Sequence, residues 1–94
     1  MFVLALEMQL HIGHAQSLRD KRSVVRSIVD GARRRFDVAA AEVDHQQLWQ
    51  RCALGFAAVG GTQQHTAEVI DEVSRFVWSF PEVDVLDEER TWLS

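Results

Sequence analysis

The sequence predicts one α+β domain whose elements follow the order βαββαβ. Two patterns carry this prediction. Apolar residues occupy every second position over residues 2–12 and again over residues 52–58, which is the period of a half-buried strand. Residues 18–35 and 63–79 instead carry apolar side chains three or four positions apart, which is the period of a helix with one buried face.

The first predicted strand covers the apolar alternation near the start of the chain. Its apolar positions are Phe2, Leu4, Leu6, Met8, Leu10 and Ile12. Gly13 ends it. A helix is then predicted over Leu18–Arg35, because the Ser17 hydroxyl can accept a backbone N–H and Asp20 stands three residues later, as in a capping box. Gly31 weakens this helix because glycine has a low helix propensity.

The middle of the chain contributes two predicted strands. Asp37–Asp44 has an ambiguous period, and its run of alanines would also suit a helix. It lies between the end of the first helix and a turn that begins at His45, so we predict a strand. Apolar positions alternate again from Cys52 to Ala58, which predicts the next strand, and Gly60-Gly61 ends it.

The second predicted helix spans Gln63–Ser79 and begins after Thr62, a residue type that caps helix N-termini. Pro81 stops this helix, because proline cannot continue the backbone hydrogen bonding. Val83 then opens a last strand that runs toward Arg90, and its acidic residues are typical of a solvated sheet edge.

Right-handed crossovers give this element order one compact arrangement, a split pair of βαβ units called a ferredoxin-like fold. The predicted sheet is antiparallel, with strand order 4-1-3-2 and both helices on one face. The sheet's share of the core is predicted to be Phe2, Leu4, Leu6, Met8, Leu10, Leu54 and Phe56. The first strand's end, the first helix's start and the turn at His45 then meet at one rim, and such loops often carry function.

Composition limits the classes of function. The 94 residues make one domain, residues 1–94, without room for separate catalytic and cofactor domains. No Ser-His-Asp or Cys-His arrangement with a family signature and no phosphate-binding glycine loop appears, so we predict no enzymatic activity and no cofactor. The single cysteine, Cys52, excludes an internal disulfide and a cysteine zinc cluster. No apolar run is long enough to cross a bilayer, and the first residues do not resemble a signal peptide. We therefore expect a cytoplasmic protein with no membrane partner.

Charge is distributed unevenly, although the formal net charge is only −4. Residues 1–51 carry eight basic and six acidic residues, whereas residues 52–94 carry two and eight. On a helical wheel, four arginines share an arc of roughly 60° beside the apolar stripe. They are Arg19, Arg22, Arg26 and Arg33. Guanidinium groups grouped in this way could bind phosphates, and the equally weighted alternative is a solvated face whose arginines pair with Asp30 or Asp37.

Lys21 differs from these arginines because the same wheel places it on the core side of the helix. One interpretation, which we prefer from the sequence, is that its ammonium group extends to the rim and stays hydrated. The sharper alternative is that Lys21 meets an acidic residue there, with Asp44 and Glu42 as the candidates. The other residues predicted on this rim are His45, Trp49 and Arg51.

Asp44 and His45 also suggest a catalytic or metal-binding role, because a histidine beside a carboxylate can act as a base or a ligand. However, adjacent strand residues point to opposite faces, and the histidines match no known ligand spacing. We therefore prefer a turn-stabilising Asp44 and an exposed His45. Cys52 is predicted to be a small buried hydrophobe rather than a nucleophile.

Three segments resemble one known family. They are Ser17-Leu18-Arg19-Asp20-Lys21-Arg22, Ala41-Glu42-Val43-Asp44-His45-Gln46 and Leu48-Trp49-Gln50-Arg51. In content and order they are similar to the YlxP-like family of small bacterial proteins, over nearly the whole chain. Arg19-Asp20 stand where that family often has Lys-Glu. The resemblance implies a ferredoxin-like fold and assigns no catalytic residue. Because genes of the family often lie beside those of translation factors, it also implies an RNA or ribosome connection.

The open face of the predicted sheet lacks the aromatic side chains that stack RNA bases, so a base-stacking surface is not expected there. A small and rather apolar face instead suggests that a second copy covers it. A homodimer through the sheet face or through an edge strand is therefore a further expectation.

Three functional hypotheses follow from the sequence. The preferred one is a non-enzymatic accessory module that contacts RNA or the ribosome through the first helix and the rim. The second is a homodimeric module that binds a protein or a small ligand, and the third is an enzyme or metal site around Asp44 and His45. The residues predicted to bind RNA or a partner are Arg19, Lys21, Arg22, Arg26, Arg33, Asp44, His45, Trp49 and Arg51.

Overall fold

Four antiparallel strands form one sheet and two helices cover one of its faces in the computed structural model, which describes residues 1–94. The elements are β1 (Phe2–His11), α1 (Leu18–Phe36), β2 (Ala39–Asp44), β3 (Arg51–Gly60), α2 (Gln63–Trp78) and β4 (Asp84–Trp92). The strand order β2-β3-β1-β4 is the predicted order 4-1-3-2 read from the opposite edge. The predicted α+β, ferredoxin-like fold class is therefore confirmed.

β1 and β3 are the two inner strands of the sheet, and β1 pairs with β3 on one side and with β4 on the other. The even-numbered residues of Leu4–Leu10 point toward the helices and are at most 2% exposed, and Leu54 and Phe56 of β3 join them. Phe2 is only half-buried. It lies at the end of the sheet, where its ring packs edge to face against Trp92. The predicted core is thus correct except at Phe2, which the alternation alone could not separate from its neighbours.

Both helices begin where the sequence predicts, because a hydroxyl group caps each N-terminus. The Ser17 Oγ accepts a hydrogen bond from the Asp20 N–H at 3.1 Å, and the Asp20 carboxylate accepts one from the Gln16 N–H at 3.0 Å. These two bonds form a reciprocal cap. The Thr62 hydroxyl caps α2 with a single bond, which it accepts from the His65 N–H at 3.1 Å. The start of α1 is therefore fixed beside the end of β1.

Gly31 allows α1 and α2 to approach each other closely. A Cβ atom at this position would lie 2.6 Å from Cζ of Phe76 on α2. The Phe76 ring cannot easily move, because it packs edge to face against both Phe36 and Phe80 and lies under the Arg35 guanidinium. The glycine that weakens α1 in isolation is therefore required by the packing of the two helices.

We expect Gly31→Ala to lower the free energy of unfolding by about 1–3 kcal/mol, the usual cost of overpacking a core. The higher helix propensity of alanine would act in the opposite direction by about 1 kcal/mol, so the sign of the change shows which effect dominates. Urea unfolding followed by circular dichroism measures it. Ser27→Ala, on the exposed side of the same helix, is the control that should change stability little. A Gly31→Ala protein more stable than the parent would contradict this account.

Candidate functional site

Three segments of the chain meet at one rim of the sheet, as the topology predicts. The Ile12 N–H donates a hydrogen bond to the Gln50 carbonyl at 2.9 Å. The Gln50 side-chain amide donates to the carbonyls of Gly13 and Ala15, both at 3.1 Å. These contacts join the loop before α1 to the turn between β2 and β3, and they hold the predicted rim in a defined shape.

Lys21 is the buried charge at the centre of this rim. Its side chain is 1% exposed, its Nζ lies 2.7 Å from a Glu42 carboxylate oxygen, and it donates a hydrogen bond to the His45 carbonyl at 2.5 Å. The Glu42 contact is close but not well aligned as a hydrogen bond, so it is mainly an ion pair. The preferred interpretation of a hydrated Lys21 is wrong, and the acidic partner is Glu42 rather than Asp44.

The turn that follows β2 is built around the backbone of His45. His45 has a left-handed φ of 62°, and its carbonyl accepts hydrogen bonds from both Lys21 and the Leu48 N–H. The Asp44 carboxylate accepts a hydrogen bond from the His45 N–H at 2.7 Å, so Asp44 stabilises the turn, as predicted. The His45 side chain is half-buried rather than exposed, and its Nδ1 lies 3.9 Å from Asp44. The left-handed backbone, which no local pattern predicted, turns this carbonyl toward α1.

We expect Lys21→Met to lower the free energy of unfolding by about 3 kcal/mol, because it leaves the Glu42 carboxylate without its counterion and removes one of the two donors to the His45 carbonyl. The double variant Lys21→Met/Glu42→Met should recover part of this loss, since it removes the unpaired charge as well. Urea unfolding of both variants and of Glu42→Met measures the coupling. Unchanged stability in Lys21→Met would refute the structural role of the pair.

Cys52 lies on the core side of β3 and is fully buried. Burial, with a smaller contribution from the Glu42 carboxylate, raises the pKa of its thiol from 9.0 to about 12, although Lys21 and Arg51 act in the opposite direction. A thiol that stays protonated at neutral pH is a poor nucleophile. The predicted role of Cys52 as a buried hydrophobe is therefore confirmed.

We expect the stability of the protein to fall above about pH 9. Because folding raises the pKa of Cys52, the unfolded chain loses the thiol proton at a lower pH than the native protein does. The contribution of the protonated thiol to the free energy of unfolding is therefore complete below about pH 9 and is lost as the pH rises toward about 12. Urea unfolding at about pH 8 and about pH 10.5 measures the slope, and Cys52→Ala should reduce it. Rapid, stoichiometric reaction of the native thiol with an aromatic disulfide reagent at about pH 8 would contradict its burial.

Three of the four grouped arginines form an exposed basic surface on α1. Arg19, Arg22 and Arg26, with Ser23 and Ser27 between them, line a shallow depression of about 540 Å³. None of the three arginines has an acidic partner within 4 Å. We call this surface the arginine face. Its guanidinium groups are available to an anionic ligand without the prior breaking of an ion pair.

Arg33 has a different environment, although the helical wheel groups it with the other three. Its guanidinium donates a hydrogen bond to the Ala40 carbonyl at 2.5 Å and lies 3.7 Å from the Asp30 carboxylate. Because the Ala40 carbonyl belongs to the outer side of the edge strand β2, Arg33 occupies an acceptor that another strand would need. Arg33 therefore protects the sheet edge, which works against a homodimer through β2.

The tip of the β2–β3 connection carries the remaining predicted residues. Trp49 is 53% exposed, and Leu48 beside it is about as exposed. With Gln47, Gln50 and Arg51 they line a separate depression of about 450 Å³. It has no lining residue in common with the arginine face, so the structure brings Trp49 and Arg51 together but does not merge them with the α1 arginines.

The open face of the sheet contains a feature that the sequence analysis missed. A depression of about 500 Å³ lies across all four strands, with a floor of small residues. Glu7 of β1 and Glu89 of β4 are directly opposite each other beside this floor, and Asp87 is opposite Gln9 on the same face. The face is therefore acidic on its β1–β4 half. The pairing register, which a single segment does not reveal, was needed to find it.

No three histidine, cysteine or acidic side chains converge where they could hold a metal ion. Neither α1 nor α2 combines the length and the hydropathy of a membrane-spanning helix. The geometry thus defines a small ferredoxin-like α+β protein with a basic helix face and an acidic sheet face. A de novo designed protein with ferredoxin fold, LFR1 1, has a similar structure with a TM-score of 0.61, at 12% identity over 100% of this chain and 87% of the designed chain. That likeness shows the fold alone.

Sequence comparison assigns the family. The family described as "Protein of unknown function (DUF503)" matches residues 3–90. The Uncharacterized protein YlxP of Bacillus subtilis (strain 168) is 33% identical over 86 residues, which cover 92% of this chain and 94% of that protein. The chain therefore belongs to the DUF503 family, and the resemblance to YlxP-like proteins inferred from its motifs is confirmed.

Proposed function

We propose that this chain is a non-enzymatic cytoplasmic module that contacts structured RNA, in the ribosome or during its assembly, through the arginine face. The observation that carries the proposal is the exposure of Arg19, Arg22 and Arg26 on one helix face without acidic partners. Guanidinium groups bind phosphate oxygens in a bidentate manner, and the Ser23 hydroxyl between them can donate to the same oxygens.

The arrangement favours contact with the RNA backbone over recognition of bases. Arg19 and Arg26 are separated by about 10 Å along the helix axis, so their side chains can contact more than one phosphate. The outward positions of β1 and β3 hold no phenylalanine or tryptophan, and the acidic half of the sheet repels phosphate. Folded RNA, which proteins recognise largely by shape and backbone, therefore fits this surface better than an unpaired strand.

The exposed rim supports a second contact with the same RNA. Trp49 presents a half-exposed indole at the tip of the β2–β3 connection, with Arg51 next to it. An indole can stack on an unpaired base at the end of a helix, while an arginine contacts the adjacent phosphate. The resemblance to a family whose genes lie near those of translation factors points to the same class of partner.

Binding should depend on these arginines and on salt. We expect Arg22→Glu/Arg26→Glu to weaken binding to a labelled, structured ribosomal RNA fragment by about tenfold or more, measured by fluorescence anisotropy at two salt concentrations. Each lost phosphate contact should also reduce the slope of log affinity against log salt by about 0.7–0.9.

The matched control is Arg34→Glu/Arg75→Glu, which makes the same change in net charge outside the arginine face. It should weaken binding only about twofold, through the long-range field. Equal losses in the two double variants would show a nonspecific charge effect, and unchanged binding in Arg22→Glu/Arg26→Glu would refute the arginine face as the contact.

A further inference from the structure

The acidic depression on the open face of the sheet has a floor of small side chains and carboxylates along one side. The floor residues are Ala5, Ala39, Ala41, Gly55 and Ala57, which come from β1, β2 and β3. Glu7 and Glu89 stand at its β1–β4 side. A floor of small side chains lets the backbone of a ligand come close to the sheet.

The carboxylates of this face lack basic partners. Glu7, Asp87 and Glu89 have no basic group within 4 Å. Glu7 accepts only a 3.3 Å hydrogen bond from the Gln9 side-chain amide, whose own oxygen is buried without a partner. Like charges that face each other across paired strands repel. A cation placed between Glu7 and Glu89 would relieve that repulsion.

These charges select among the possible occupants of the face. A phosphate backbone would be repelled by the three carboxylates. A second copy of the chain, docked face to face, would bring no lysine or arginine to these carboxylates, because no basic residue lines the depression. A positively charged partner gains from the same groups that exclude the other two. The earlier expectation of a homodimer through this face thus has charge against it.

The shape of the face selects the backbone form of that partner. An extended segment laid on a sheet face leaves its own N–H and C=O groups without partners, whereas a helix satisfies them internally. The three strand spacings that the depression crosses amount to about 14 Å, the length of about nine helical residues. The geometry points to docking of a short cationic helix from another protein. The small residues of that helix would lie against the floor of the depression, and its lysine or arginine side chains would lie beside Glu7 and Glu89.

A synthetic peptide tests this proposal directly. The probe is an alanine-based helix of about 16 residues with lysines along one side, and the control peptide has glutamates at the same positions. Each is titrated into the full ¹⁵N-labelled chain. We expect the lysine peptide to cause saturable amide shifts at Ala5, Glu7, Gly55 and Ala57, and the glutamate peptide to cause none.

Matched variants identify the surface. Glu7→Gln/Glu89→Gln should weaken binding of the lysine peptide by about tenfold, since two exposed charge contacts are lost. Glu68→Gln/Glu72→Gln, with the same charge change on α2, should leave it within about twofold. Ala41→Phe, at the exposed sheet edge, should also weaken binding because it fills the depression without a change in charge.

Several results would overturn the proposal. In the peptide titration they are amide shifts on α1 instead of the sheet, equal binding of the glutamate peptide, or no shift up to about 1 mM peptide. Amide shifts on the sheet face caused by RNA would show a nucleic-acid partner instead. A dimer of the free chain in light scattering that Ala41→Phe abolishes would show that a second copy covers the face. The proposal is independent of RNA binding. Arg22→Glu/Arg26→Glu should keep peptide binding, and Glu7→Gln/Glu89→Gln should keep RNA binding. The two proposals can therefore fail independently of each other.

Discussion

The buried ammonium group of Lys21 constrains the rest of the structure. A lysine that is 1% exposed is tolerated only where oxygen ligands replace its water. Those ligands come from two different places, the Glu42 side chain on β2 and the His45 carbonyl in the following turn. The start of α1, the end of β2 and the turn must therefore take one relative position. Loops that would otherwise be independent become one rigid rim.

A local irregularity in β2 makes that arrangement possible. The pairing of β2 with β3 shifts by one residue between Glu42 and Asp44, so that Glu42 points toward α1 while Asp44 is free to stabilise the turn. Val43, at the shift, lies over Gly55, where a Cβ would come within 2.9 Å of its side chain. A bulge in a strand re-aims side chains in this way. Gly55 and Lys21 therefore both accommodate this bulge. Gly55 leaves space for Val43 on the open face of the sheet, and Lys21 pairs with Glu42 on the helix side.

Periodicity predicted the elements of this chain well, because burial on one face imposes it on strands and helices alike. It predicted much less of the site. The helical wheel correctly put Lys21 on the core side, but the choice between Glu42 and Asp44 depended on the bulge, which leaves no local pattern. The wheel also grouped Arg33 with the other arginines. The C-terminal half of α1 passes the edge of β2, so Arg33 binds a backbone carbonyl there. Wheels describe a helix without its neighbours.

The charge pattern of the sequence also predicted only the surface that comes from a single element. The basic first half and acidic second half of the sequence predicted the arginine face, which comes from one continuous helix. The acidic sheet face combines Glu7 with Glu89, from opposite ends of the chain, and only their register brings them together. The helix layer and the open sheet face lie on opposite sides of one apolar core. A phosphate backbone on α1 and a cationic helix on the sheet would not compete for space, so one molecule could hold both at once.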